Sequence, residues 1–139
     1  MKPVAKCGRP RRLREKQSRR TVLVVEDDLF VRDSTCAVLE SAGYRVLQAG
    51  TAAEAAKIFH SDLTVDVLLC DVVLPDESGI ALTDFLERES PGMQTIVVSG
   101  YPRSVLEQQF KVSPTREILT KPYSAALLVS SVDALLRAA

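Results

Sequence analysis

From Thr21 onward the chain alternates short apolar runs with segments of helical periodicity. Thr21–Glu26 (TVLVVE) reads as a buried strand. Residues 28–42 place Val31, Thr35, Val38, Leu39 and Ala42 at helical spacing, and Gly43 supplies a C-terminal cap. Tyr44–Gln48 reads as a second strand. Thr51 with Glu54 three residues on forms a capping box for a helix to about His60, with Ala52, Ala55, Ala56 and Phe59 toward the core. Val65–Cys70, broken only by Asp66, reads as a third strand. A loop from Asp71 to Gly79, punctuated by Pro75, leads to a helix over Ile80–Glu89 that Pro91-Gly92 stops. A strand over Gln94–Val98, a helix over Pro102–Phe110 and a strand over Glu117–Thr120 follow. A last helix over Ser124–Ala138 would turn Leu127, Leu128, Leu135 and Leu136 inward.

Five strands thus alternate with five helices. Apolar runs without polar alternation imply strands covered on both faces. Strand–helix alternation with short connections implies a doubly wound parallel α/β sheet. The first 20 residues break the pattern. They hold nine Lys or Arg against one Glu, while the remainder holds nine against 17 acidic residues, so the formal net charge of zero conceals +8 followed by −8. We read residues 1–20 as a basic flexible tail and 21–139 as the folded domain. A solvated leader describes the tail better than a nucleic-acid or membrane-surface arm, because no aromatic residue interleaves the charges.

At 139 residues the chain has room for one core, and its 46% hydrophobic content is that of a globular domain. No apolar run approaches the ~20 residues of a membrane span. Cys7, Cys36 and Cys70 form no Cys-x-x-Cys pair, which argues against a zinc site or a disulfide framework and for a reducing, cytoplasmic setting.

Ligands of such sheets bind beyond the carboxyl ends of the strands. Those ends carry Glu26, Asp27 and Asp28, then Asp71, then Ser99, then Lys121 before Pro122. Taken singly, each has a bland reading: Asp27 or Asp28 as a helix cap, Asp71 as a turn residue, Ser99 as a loop hydroxyl, Lys121 as a solvated charge. Converging on one rim, they suit phosphoryl transfer. Crowded carboxylates need a hard divalent cation such as Mg²⁺. That cation and a lysine favour the Asp71 anion as nucleophile and screen charge on the phosphoryl oxygens.

Four segments resemble the response regulator receiver family of two-component signalling (the CheY-like superfamily). They are Val24–Asp28, Cys70–Gly79, Val97–Tyr101 and Leu119–Tyr123. The resemblance spans Thr21 to Ala138. It implies a flavodoxin-like fold with strand order 2-1-3-4-5. It also implies that Asp71 is the phosphoryl acceptor, that Ser99 is the switch hydroxyl and that Lys121 pairs with the phosphate. Glu26, Asp27, Asp71 and the Val73 backbone carbonyl would bind Mg²⁺, Asp28 would be a cap, and Lys121–Pro122 would be a cis bond.

The implied partners are a sensor histidine kinase or histidine phosphotransfer protein and a downstream protein target. The output face would be the fourth helix, fifth strand and last helix, which also offers a homodimer surface. The implied role is a stoichiometric acceptor rather than a turnover enzyme. No DNA-binding segment follows the last helix in this sequence, so the expected output is protein contact or phosphorelay, by a free-standing domain or by part of a hybrid protein.

Ile118 departs from the family pattern, since an aromatic that swings inward on activation often stands three residues before the lysine. The resemblance implies that the positions of Val73 and Tyr101 influence phosphate lifetime, and Val73 offers no side chain to orient a hydrolytic water, so we expect slow to moderate self-dephosphorylation.

Two other classes fit the sequence less well. A haloacid-dehalogenase-type phosphatase would need a second Asp where Val73 stands. A degenerate receiver or plain flavodoxin-like binding module would not need the full set of Glu26, Asp27, Asp71, Ser99 and Lys121. A P-loop enzyme is excluded, because the chain has no Gly-x-x-x-x-Gly-Lys-Ser/Thr.

Overall fold

The computed structural model describes residues 19–61 and 64–138. The basic segment therefore lies outside the described residues except for Arg19 and Arg20. The elements are β1 (Thr21–Val25), α1 (Leu29–Ser41), β2 (Arg45–Ala49), α2 (Ala52–Phe59), β3 (Val67–Asp71), α3 (Gly79–Glu89), β4 (Gln94–Ser99), α4 (Arg103–Gln109), β5 (Ile118–Thr120) and α5 (Ala125–Ala138). All five strands are parallel, in the order β2-β1-β3-β4-β5.

Strand alternation splits the core into two layers. Leu23, Val25, Leu68 and Cys70 pack on one face with Ala52 and Ala55 of α2 and Leu82 and Leu86 of α3. Val22, Val24, Val67 and Leu69 pack on the other with Cys36 and Leu39 of α1 and Leu128 and Val132 of α5. A smaller cluster of Val72, Val97, Leu106 and Val112 holds α4 to the sheet. Edge strand β2 is the least covered, which qualifies the expectation of strands buried on both faces.

Several expected positions shift once the helices dock. Ala42 is exposed and Cys36 takes its place in the core of α1. Leu127 is 49% exposed, and Val132 completes the buried stripe of α5. The box at α2 is only half formed: the Thr51 hydroxyl accepts from the Glu54 N–H at 3.0 Å, but Glu54 accepts from Gly50 N–H at 2.7 Å rather than from Thr51. Gly43 has φ +100°, the left-handed geometry that its role after α1 requires.

The order places β1 between β2 and β3. The chain steps from β1 to one side and returns on the other, opening a crevice at the carboxyl ends of β1 and β3.

Candidate functional site

Glu26 follows β1 but remains inside, 5% exposed, because its N–H continues the sheet by donating to the Ala49 carbonyl at 3.0 Å. Its two carboxylate oxygens are separately bound. Oε2 accepts from the Asp28 N–H at 3.1 Å, and Oε1 lies 2.7 Å from Lys121 Nζ. Burial pushes its carboxyl up from the ordinary range, and those two hydrogen bonds work against the shift. Asp28 is the cap expected of it, accepting from the Val31 N–H at 3.1 Å. Arg32, one turn into α1, donates back to the Glu26 carbonyl at 2.9 Å and to Gln48 Oε1 at 3.2 Å. This ties the ends of β1 and β2 together.

Asp71 is the last residue of β3 rather than the first of a loop. It is 7% exposed. Oδ1 accepts from the Val73 N–H at 3.1 Å and Oδ2 from Lys121 Nζ at 2.7 Å. Lys121 therefore bridges two buried carboxylates. Burial opposes its charge, but the hydrogen bonds to Asp71 and Glu26 prevail and hold the ammonium above the ordinary lysine range. Carboxylate oxygens of Glu26, exposed Asp27 and Asp71 lie within 4.8 Å of one another. Three carboxylates around one ammonium leave two negative charges in excess, and every donor is a hard oxygen. That donor set fits a divalent cation of the Mg²⁺ kind.

The loop after Asp71 is anchored in four places. Val72 N–H donates to the Val98 carbonyl at 2.9 Å, and Gly79 N–H donates to the Val72 carbonyl at 2.8 Å. Val73 forms an antiparallel bridge with Ser78, whose hydroxyl caps α3 by accepting from Ile80 and Ala81 N–H. Asp76 reaches α2, its two oxygens accepting from the Ala52 and Ala53 N–H at 2.9 Å each. Those bonds hold its carboxyl below the ordinary range. A Cβ on Gly79 would sit 1.7 Å from the Asp71 carbonyl oxygen, so only glycine permits α3 to start against the Asp71 backbone.

Ser99 ends β4, 1% exposed, with its hydroxyl accepting from the Tyr101 N–H at 2.8 Å. Its carbonyl accepts from the Lys121 N–H at 2.8 Å, so Ser99 and Lys121 are neighbours across the sheet. The Lys121–Pro122 bond is cis, as the resemblance implies. Beside Lys121 a largely apolar groove of ≈ 530 Å³ runs between Phe30, Val31, Thr35 and Tyr123. Phe30 on its margin is 89% exposed. The fold thus brings Glu26, Asp27, Asp71 and Lys121 into one cluster, with Ser99 on the adjacent strand end.

Sequence reasoning missed Arg32, Asp76 and the tight approach at Gly79. Of these only Gly79 carries a local signal, as loop punctuation. The partners of Asp76 lie 24 and 23 residues away, and no local pattern announces them.

The sequence matches the response regulator receiver domain over residues 22–133. The chain belongs to the response regulator receiver family. Among curated relatives, the sensor kinase CckA of Brucella abortus is 33% identical over 117 residues, a match covering 84% of this chain and 12% of that protein. The phosphate regulon transcriptional regulatory protein PhoB of Escherichia coli is 32% identical over 120 residues, covering 85% of this chain and 52% of PhoB. This receiver therefore spans about half or less of the length of those relatives. A CheY-like receiver domain protein from Methanospirillum hungatei has a solved structure that is 30% identical with a TM-score of 0.75, covering 86% of this chain and 95% of that one. No helix among the described residues is long and apolar enough to cross a membrane.

Proposed function

We propose that this receiver takes a phosphoryl group from a phosphohistidine of a sensor histidine kinase or histidine phosphotransfer protein onto Asp71, in the cytoplasm. The observation that carries the reading is the pair of 2.7 Å contacts from Lys121 Nζ to Asp71 and Glu26 inside a cluster of three carboxylates. Glu26, Asp27, Asp71 and the Val73 carbonyl would hold Mg²⁺, which when bound neutralises the crowded carboxylates and screens the phosphoryl oxygens. The apolar groove beside Lys121, with Phe30 at its edge, offers the donor a surface that leads to the acceptor.

A carboxylate oxygen of Asp71 attacks phosphorus in line as the P–N bond breaks, and the bonding electron pair leaves on the imidazole nitrogen. Lys121 pairs with the phosphoryl oxygens. Ser99 turns its hydroxyl from the Tyr101 N–H and donates to one of them. The two states differ in those contacts, and the phosphoryl group biases their populations. Each chain holds one phosphoryl group on its single acceptor carboxylate and so acts stoichiometrically, and water later hydrolyses the acyl phosphate and restores Asp71. The face of α4, β5 and α5 then presents the output to a downstream protein or a second copy of the chain.

Intact-mass measurement after incubation with Mg²⁺ and acetyl phosphate tests the reading. Wild type should gain one phosphoryl group and Asp71→Ala none. An unmodified wild type would overturn it.

A further inference from the structure

The route from Ser99 to the output face differs in this chain from one built on an aromatic before the lysine. Ile118 packs into the small cluster of Val72, Val97, Leu106 and Val112 that anchors α4. The aromatic contact lies elsewhere. The Tyr101 and Phe110 rings stand 5.4 Å apart at 38°. Tyr101 is 44% exposed, while Phe110 packs on the same cluster as Ile118 and ends α4 as its C-cap. Lys111 follows with φ +58°, a left-handed conformation that L side chains adopt rarely. Phe110 N–H and Val112 N–H both donate to the Leu106 carbonyl, at 3.1 Å each, on either side of that residue. The end of α4 is thus a strained turn held by packing on Phe110.

The other end of the path is the Ser99 hydroxyl, which accepts from Tyr101's own N–H. We propose that Tyr101 is a positioning residue that couples Ser99 to the C-terminal end of α4, through its backbone bond to Ser99 and its ring contact with Phe110. This rests on the reading of Asp71 and Ser99 given above. When the Ser99 hydroxyl leaves Tyr101 for a phosphoryl oxygen, the Tyr101 N–H loses its acceptor and its backbone reorients. The ring then moves off Phe110, and the turn at Lys111 loses a contact that holds it. This is a two-state element biased from the site, the physical requirement for coupling.

Fluorine and amide NMR spectra with Mg²⁺ and beryllofluoride, on wild type, Tyr101→Ala, Tyr101→Phe and Phe110→Leu, test the proposal. All four should show bound fluoride signals. Amide shifts over 103–112 should shrink at least about twofold in Tyr101→Ala and Phe110→Leu, and persist in Tyr101→Phe, which keeps the ring. Full shifts over 103–112 in Tyr101→Ala with the ion bound would overturn the coupling while sparing the Asp71 reading. Loss in Tyr101→Phe as well would overturn the ring contact. No bound signal in wild type would overturn both readings together.

Discussion

Lys121 and Arg116 each stand between two carboxylates, at opposite ends of one sheet. Lys121 lies 2.7 Å from both Glu26 and Asp71, whose side chains are 6% and 10% exposed against 27% for the lysine. Arg116 lies 2.7 Å from Asp84 and 2.6 Å from Glu87, whose side chains are 46% and 36% exposed against 13% for the arginine. At the rim the anions are buried and the cation is more open; at the base the arrangement is reversed. The third partner differs as well. Thr95, a neutral hydroxyl, accepts from Arg116 at 3.0 Å and donates to Glu87 at 2.5 Å, closing that cluster. At the rim the third member is another carboxylate, Asp27. One assembly carries a single excess negative charge, on carboxylates open to solvent, and joins α3, β4 and the approach to β5. The other keeps an excess of negative charge in a fixed cradle. Charged residues alone do not mark a site in this fold; an uncompensated, buried set of them does.

The largest effect tests how rigid that cradle is. Gly79→Ala drives a methyl into the Asp71 carbonyl and should cost roughly 3 kcal/mol in urea unfolding together with phosphoryl acceptance. Gly100→Ala, with nothing within 4 Å of the added carbon, should stay within about 0.5 kcal/mol. Equal behaviour of the two would remove the rigid frame on which the comparison depends.

Arg116→Met should lower unfolding free energy by about 2 kcal/mol by leaving Glu87 and Thr95 without their cation, and should leave phosphorylation of Asp71 intact. A variant as stable as wild type would deny the base its structural role.

Opposite signs are expected when one carboxylate is neutralised at each end. Without divalent cation, Asp27→Asn should raise stability by about 1 kcal/mol through relieved repulsion, whereas Glu87→Gln should lower it by about 1 kcal/mol. Thermal melts in chelator that moved both variants in the same direction would erase the distinction.

The smallest effect concerns pH at the base. Burial, and then the hydrogen bond that the Tyr44 hydroxyl donates to Asp133, push its phenol from 10.0 up to about 12. Because the folded value exceeds the unfolded one, this contribution is complete below pH 10.0 and fades as pH rises toward about 12. Tyr44→Phe should flatten that alkaline decline in melting temperature, and an unchanged decline would show that Tyr44 does not carry it.

Much of this was legible in the sequence because it is local chemistry. Asp28 caps α1 with an oxygen three residues from the N–H it accepts, and Gly43 takes a positive φ where a helix must stop. The apolar runs give way to polar side chains at Glu26, Asp71, Ser99 and Lys121, a change of residue type that the sequence itself displays. Leu127 illustrates the opposite case. It is as apolar as Leu128 beside it, and only docking against the sheet decides which of the two adjacent stripes of α5 is buried. Glu54 sits at the right spacing for a reciprocal box, yet its carboxylate meets Gly50 instead.

By itself, then, the sequence determined the strand–helix alternation, the residue types at each strand end and membership of the receiver family through motifs spanning most of the chain. Tertiary structure alone decided that Lys121 bonds Asp71 across 50 residues and Glu26 at the same nitrogen, that Asp76 caps a helix it does not adjoin, and that Tyr101 meets Phe110 where Ile118 offers no aromatic. The reason is physical. Periodicity and capping act over a few residues and are written in each segment. Distances between strand ends depend on strand order and register, and those exist only once non-consecutive strands share hydrogen bonds.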